Sequence, residues 1–339
     1  MKQIISHKYR CFVVAVEIIL LMVMLPVLYH FIPIRKQAND TFYLSSARID
    51  DVVASLELQG YTVTFIDKIM LQLIKSPQKG WYSVDKQAYG RFLFFADLHS
   101  QKALTMSLVV YAGETVDELT TRLAKDMHLN KDKLLKAYQK HSRFKEGDIF
   151  AKRYILARKA NEEVTIGYLF DESSSVLEDF EKQYFSKKPD TFELKILLTI
   201  ASIIQRESNA KKEMPIISSV IYNRLNKGMK LQMDGTLNYG KYSRQIITSK
   251  RIKTDTSYYN TYKHKGLPSL PLGTVDYEAL KAAMFPAKTD YLFFMLKPDG
   301  SHTFAKTYAE HLENIRIFRK YQKAKKVKTS LQKIHKKSS

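Results

Sequence analysis

The sequence has little of what builds covalent or metal-held scaffolds. It contains one cysteine, Cys11, so no intrachain disulfide can form and cysteine usage assigns no redox compartment. Neither CxxC nor HExxH occurs, and the nine histidines show no ligand spacing. Zinc chemistry therefore has no support, and no metal or cofactor is expected. The missing GxxxxGK[ST] removes the simplest nucleotide-hydrolysis reading. Acids are absent from the C-terminal end: from Arg316 onward there are ten Lys/Arg and no Asp or Glu, out of a net charge of +21. About half of the excess charge is thus a tail. Such a tail is either a solvated end or a contact for anionic lipid, an acidic polymer or nucleic acid. What is present is apolar content of 45% and aromatics at 12%, enough for packed cores and against wholesale disorder.

Residues 11–34 read CFVVAVEIILLMVMLPVLYHFIPI. As a helix this run covers ~36 Å, enough to cross a bilayer's hydrocarbon layer. Lys2, Lys8 and Arg10 precede it, Arg35 and Lys36 follow, and the small bias favours an inside N-terminus. No small-x-small cleavage site follows the run. The expectation is an uncleaved single-pass anchor, with residues 37–339 outside the cytoplasm. Glu17 costs less near an end of the span than the ~2–3 kcal/mol of a central acid.

Two strand–turn–helix modules are expected before residue 150. TFYLSSARIDDVVASLELQGY (41–61) reads as a strand and a helix ending near Gly60. In LTMSLVVYAGETVDELTTRLAKDM (104–127), Leu108 to Tyr111 is strand-like, Ala112-Gly113 a turn, and Thr115 with Glu118 a capping box. The modules are either a spacer from the membrane or a carbohydrate-binding platform. Residues 151–190 read as a connecting region, with GYLFDESSS as a turn, and Pro189-Asp190 marks the next boundary.

From Phe192 the pattern is helical. Ile196, Ile200, Ile203 and Glu207 share one face, so Glu207 continues an apolar stripe while Gln205 and Arg206 point elsewhere. Desolvation raises a carboxyl pKa, and a carboxylic acid protonated near neutral pH suits protonation of a glycosidic oxygen. The alternative is the polar end of an amphipathic helix. RLNKGMKLQMDGTLNYG (224–240) follows a helix beginning near Pro215 and turns at Gly228 to deliver Gln232, Asp234 and Thr236. YYNTYKHKGLPSLPLG (258–273) gathers three tyrosines with Asn260 and Thr261. Aromatic rings with amides and hydroxyls suit a sugar polymer, and a well-packed surface reads the same way.

ASIIQRES, NRLNKGMKLQMD, YNTYKHKGLP and YLFFMLKPDGSHTFAKTYAEH occur in that order. Together they resemble the endolytic murein transglycosylases of the YceG-like family, strongly over 193–312 and more weakly over about 40–190. The resemblance implies an α+β fold: a single transmembrane helix, small LysM-like strand–helix modules and a C-terminal α+β catalytic domain. The domains expected are 1–36 (anchor), 37–150 (modules), 151–190 (connection), 191–319 (catalysis) and 320–339 (basic tail). The implied activity is non-hydrolytic cleavage of the β-1,4 bond between N-acetylmuramic acid and N-acetylglucosamine in nascent peptidoglycan strands. It leaves 1,6-anhydro ends and takes place at the bacterial inner membrane. Glu207 falls on the family's catalytic acid, and Gln205 stands where the family commonly has a second Glu. Gln232, Asp234, Tyr259, Asn260, Thr261 and Tyr262 match cleft-lining segments. Ser269-Leu270 departs from the usual Pro-Gly. Gly300, His302, Phe304 and His311 match the closing motif, with His302 either lining the site or structural. Expected partners are glycan strands, the membrane through 11–34, and cell-wall synthesis proteins. Nucleic acid is disfavoured by the anchor and by the concentration of charge in the tail. Two readings compete: a hydrolase using Glu207 and Asp234 with water, and a non-catalytic glycan-binding envelope protein.

Overall fold

The computed structural model of the chain describes residues 2–34, 40–84 and 90–335. It is a mixed α+β structure with one long apolar helix at its N-terminus. The chain divides into two compact units: 1–108 with 155–168, and 109–154 with 169–339.

The first unit opens with α1 (Lys2–Phe31). Its stretch Tyr9–Phe31 has 23 residues at a mean hydropathy of 2.8, and its most apolar part is not buried in the protein. That length and composition suffice to cross a bilayer. Then come β1 (Thr41–Leu44), α2 (Ile49–Leu58), α3 (Phe65–Leu73), β2 (Gly80–Ser83) and α4 (Arg91–Asp97). β1 and β2 pair antiparallel, Thr41 opposite Ser83. α2 stops where the sequence placed its end, with Gly60 at φ +86° just beyond. Thr64 caps α3 through a reciprocal box with Asp67.

The last turn of α1 is built into this unit's core. Tyr29 is buried among Phe42, Leu44, Val52 and Phe94, and its hydroxyl donates to Asp67. Asp67 and Arg91 form an ion pair with no exposed side-chain surface, Nη2 to Oδ2 2.5 Å. Arg91 also donates to the carbonyls of Pro33 and Thr62, each at 2.7 Å. A buried pair survives only when its remaining donors are satisfied, and these bonds do that.

The chain continues through β3 (Thr105–Val109), α5 (Val116–Met127), α6 (Lys131–His141), β4 (Arg153–Ala157) and α7 (Glu162–Tyr184), with β3 and β4 paired. The capping box read from sequence is present: Thr115 N donates to Glu118 Oε2 at 2.9 Å, and Glu118 N donates to Thr115 Oγ1 at 3.2 Å. The strand begins at Thr105, earlier than the sequence indicated. GYLFDESSS is not a turn; it lies inside α7. Ser173 is 1% exposed. Its hydroxyl donates to Leu169 O and accepts from Phe150 N, so tertiary packing overrides the local turn signal.

The second unit centres on α8 (Thr191–Glu207), capped by Asp190 in a box with Glu193. Around it lie α9 (Met214–Asn226), α10 (Asp234–Leu237), α11 (Ser249–Thr254) and α12 (Tyr277–Met284). The antiparallel hairpin β5 (Phe293–Leu296) and β6 (His302–Ala305) turns at Gly300 and packs on α13 (Tyr308–His335). The tail from residue 320 thus continues as helix to His335, and 336–339 lie outside the described residues. Residues Leu197–Gln205 of α8 are all buried. The amphipathic reading of this helix is therefore corrected. α8 has no polar face there, because other elements cover it on every side, and Gln205, expected to point away from the core, is only 4% exposed.

Candidate active site

Glu207 ends α8 and is partly buried. Its Oε1 accepts a hydrogen bond from the backbone N–H of Gly235 in α10, 2.8 Å. Burial pushes its carboxyl up to about 7; the Asp234 charge pushes the same way, and the Gly235 bond and the Arg206 cation oppose. Gln205, two residues back, is consumed by structure: its Oε1 accepts from Asp276 N and its amide donates to Asn209.

The carboxyl opens on a cleft of about 430 Å³ that also takes in Gln232, Asp234, Tyr262, Arg224, Phe294, His302 and His311. Five of the residues read from sequence thus meet in one place: Glu207, Gln232, Asp234, Tyr262 and His302. Tyr262 donates its hydroxyl to Asp234 Oδ1 at 2.6 Å. Burial and then Asp234 hold its phenol well above the ordinary range. Gln232 takes a left-handed backbone, φ +52°, with its N–H on Thr261 O at 3.1 Å.

Three expected residues stand elsewhere. Asn260 and Thr261 are 0% and 1% exposed. Asn260 donates to the carbonyls of Ile252 and Asp255, and Thr261 Oγ1 accepts from Met233 N. Their side chains brace the wall from behind and do not face the cleft. Tyr259 packs on Tyr239, ring centroids 4.5 Å apart. Both rings line a second cavity of about 570 Å³ with Tyr242 and Arg251.

Residues not singled out from sequence hold the geometry. Arg206 donates to the carbonyls of Gly235, Gly113, Leu272 and Asn238, so it pins α10 against the end of α8. Arg224 donates to the carbonyls of Leu292, Lys230 and Leu231 and fixes the segment leading to Gln232 against the hairpin. Glu213 receives both the backbone N–H and Nδ1 of His302, at 2.8 and 2.7 Å. Partial burial pushes the Glu213 carboxyl up, but the two bonds from His302 outweigh it and leave it below the usual range. Glu146 is also buried. Burial pushes it up to about 7 against bonds from Val116 N and the Tyr239 hydroxyl. No local pattern marks these residues, because their partners are distant backbone atoms or single side chains.

The YceG-like family matches residues 45–317. The chain is 37% identical over 145 residues to an endolytic murein transglycosylase of Bacillus subtilis, a match covering 42% of this chain and 39% of that one. It is 30% identical over 177 residues to one of Streptococcus pneumoniae, covering 50% and 31%. The matched stretch is thus well under half of each relative's length. A crystal structure of a YceG-like protein from Listeria monocytogenes shares the fold, with a TM-score of 0.53, 23% identity, 80% of this chain covered and 97% of the other.

Proposed function

Because the chain belongs to the YceG-like family, we propose that it is a lytic transglycosylase of peptidoglycan held at the cytoplasmic membrane by α1. The N-terminus is inside and the body outside. It cuts within nascent glycan strands, at the β-1,4 bond between N-acetylmuramic acid and N-acetylglucosamine. The names of the Bacillus and Streptococcus relatives support the activity. The observation that carries the chemistry is the Glu207 carboxyl, which keeps its proton up to about pH 7 in an open cleft.

Glu207 gives its proton to the glycosidic oxygen as the bond from that oxygen to C1 of the muramic sugar breaks. The carboxylate then takes the proton of the C6 hydroxyl of the same sugar, whose oxygen bonds to C1 and closes a 1,6-anhydro ring. No water is consumed. The nucleophile is already attached to the electrophile, and such attack reaches effective molarities of ~10⁵ M or more, so one carboxyl suffices. Gln232, His302 and the Tyr262–Asp234 pair contact the sugar's polar groups, and Tyr259 with Tyr239 extends the aromatic surface. The order strand–helix–helix–strand, which recurs at β1–α2–α3–β2 and β3–α5–α6–β4, supports the reading of two LysM-like modules. Proteins of cell-wall synthesis are the expected partners.

A second reading has an observation behind it: Asp234 shares the cleft with Glu207, and a conventional glycosidase uses two carboxyls. Digesting defined glycan strands with the full-length protein and weighing the new ends separates the two. Anhydro ends support the proposal; ends heavier by one water support the hydrolase; unshortened strands leave only a binding protein.

A further inference from the structure

We propose that the α3–α4 face of the first unit is seated in the outer interface of the bilayer that α1 crosses, at the boundary of headgroups and acyl chains. The proposal rests on reading α1 as a membrane span, and it goes beyond anchoring: the first module lies on the lipid and is not held away from it.

The tether is rigid. Tyr29, two residues or ~3 Å before the end of the apolar run, is buried in the module with its hydroxyl on Asp67 of α3. Just past the run, Pro33 O accepts from Arg91 of α4 at 2.7 Å and from Thr62 at 2.8 Å, and Thr62 N donates to Ile34 O at 2.7 Å. α3 and α4 are thus bonded to the few residues where the span leaves the hydrocarbon.

The outward sides of these two helices are mostly apolar, with Gln72 the exposed polar side chain on α3. On α3, Phe65, Ile66, Ile69 and Leu73 are 76%, 49%, 37% and 82% exposed, while Asp67, Met70 and Leu71 face inward. On α4, Phe92 and Leu93 are 47% and 42% exposed. A helix facing water would show the opposite pattern. Phe92 also closes an apolar slot with Pro26, Val27, His30 and Phe31 of α1. Pro26 lies five residues, or ~7 Å, before the end of the span. Phe92 therefore sits at a depth set by the span itself. Lys75 and Lys79 are exposed just beyond α3, where basic side chains meet lipid headgroups. Continuity with the spanning helix selects lipid as the occupant over a second copy of the chain or another protein.

The test uses the full-length protein with Cys11→Ser in nanodiscs of phosphatidylcholine and phosphatidylglycerol. Single cysteines replace Phe65, Leu73 or Phe92, with Leu20 as the control within the span, and each carries a nitroxide. Collisions with oxygen, which enters lipid, are compared with those of a water-soluble nickel chelate. The expected result is loss of nickel collisions with oxygen retained at all three module sites, at a shallower depth than at Leu20. Nickel access at 65, 73 and 92 with Leu20 still protected overturns the proposal and leaves the anchor standing. Protection from both reagents overturns it too, since protein then covers the face. Nickel access at Leu20 removes the anchor itself and the proposal with it.

Discussion

The carboxyl of Glu207 receives the backbone N–H of Gly235 at 2.8 Å. Beside the Arg206 bond to Gly235 O, this bond joins the end of α8 to the segment carrying Asp234. It stabilises the ionised form, yet the carboxyl still sits at about 7 because burial outweighs it. The first prediction concerns pH. An acid that must be protonated loses activity as it ionises, so kcat/KM should fall about tenfold per pH unit above roughly 7. A rate profile on glycan strands checks this; a flat profile from pH 6 to 9 speaks against Glu207 as the proton donor.

Replacing Glu207 by Gln should lower cleavage by ~10²–10⁴-fold and raise stability in alkaline solution. The sign follows from a folded pKa raised above the ordinary 4.5 to about 7. Stability from that proton is present below the unfolded value and lost as pH rises through about 7. Glu207→Gln removes the cost of the buried charge, so it should gain about 1–2 kcal/mol at pH 8 and little at pH 4. Urea unfolding at both pH values tests the difference.

Arg206 satisfies four backbone carbonyls from three separate segments, two of them on α10 and its C-terminal cap. Arg206→Met leaves them without that donor and should cost ~2–4 kcal/mol. Arg206→Lys should recover little, because one ammonium cannot span the same fork. Melting temperatures of the two variants, expected to lie close together and well below the parent, decide the point.

Glu213 is expected to position His302 through its two acceptor oxygens. Glu213→Ala should reduce turnover by roughly tenfold and stability by ~1–2 kcal/mol, whereas Glu213→Gln, which keeps an acceptor, should retain most of both. Equal turnover in Glu213→Ala and the parent would mean that His302 needs no clamp.

Gly273 has φ +147°, and a Cβ there would stand 2.8 Å from Glu114 O. Gly273→Ala combines backbone strain with a contact to rigid main chain, and should cost ~2–3 kcal/mol. Calorimetry reads it directly; an unchanged melting temperature would show that the loop carrying Glu114 yields.

Part of this was legible in the sequence. The cap at Thr115 was readable because a cap is a local pattern, bonded within three residues. Ordered motifs brought Glu207, Gln232, Asp234, Tyr262 and His302 to one cleft. The burial of Gln205 was not legible, because helical periodicity registers one apolar stripe and α8 is enclosed all round. Nor was the inward turn of Asn260 and Thr261: an amide and a hydroxyl in a polar loop read alike whether they face sugar or neighbouring backbone. Arg206, Arg224 and Glu213 work through partners far along the chain, as with Glu213 and His302, 89 positions apart, and no spacing rule reaches that far.

The central claim is that bond cleavage at Glu207 is completed by the substrate's own hydroxyl. Digestion of glycan strands in water enriched in oxygen-18 tests it most directly. The account predicts new muramic ends that carry no heavy oxygen and that vanish in Glu207→Gln; ends that carry one heavy oxygen each would contradict it.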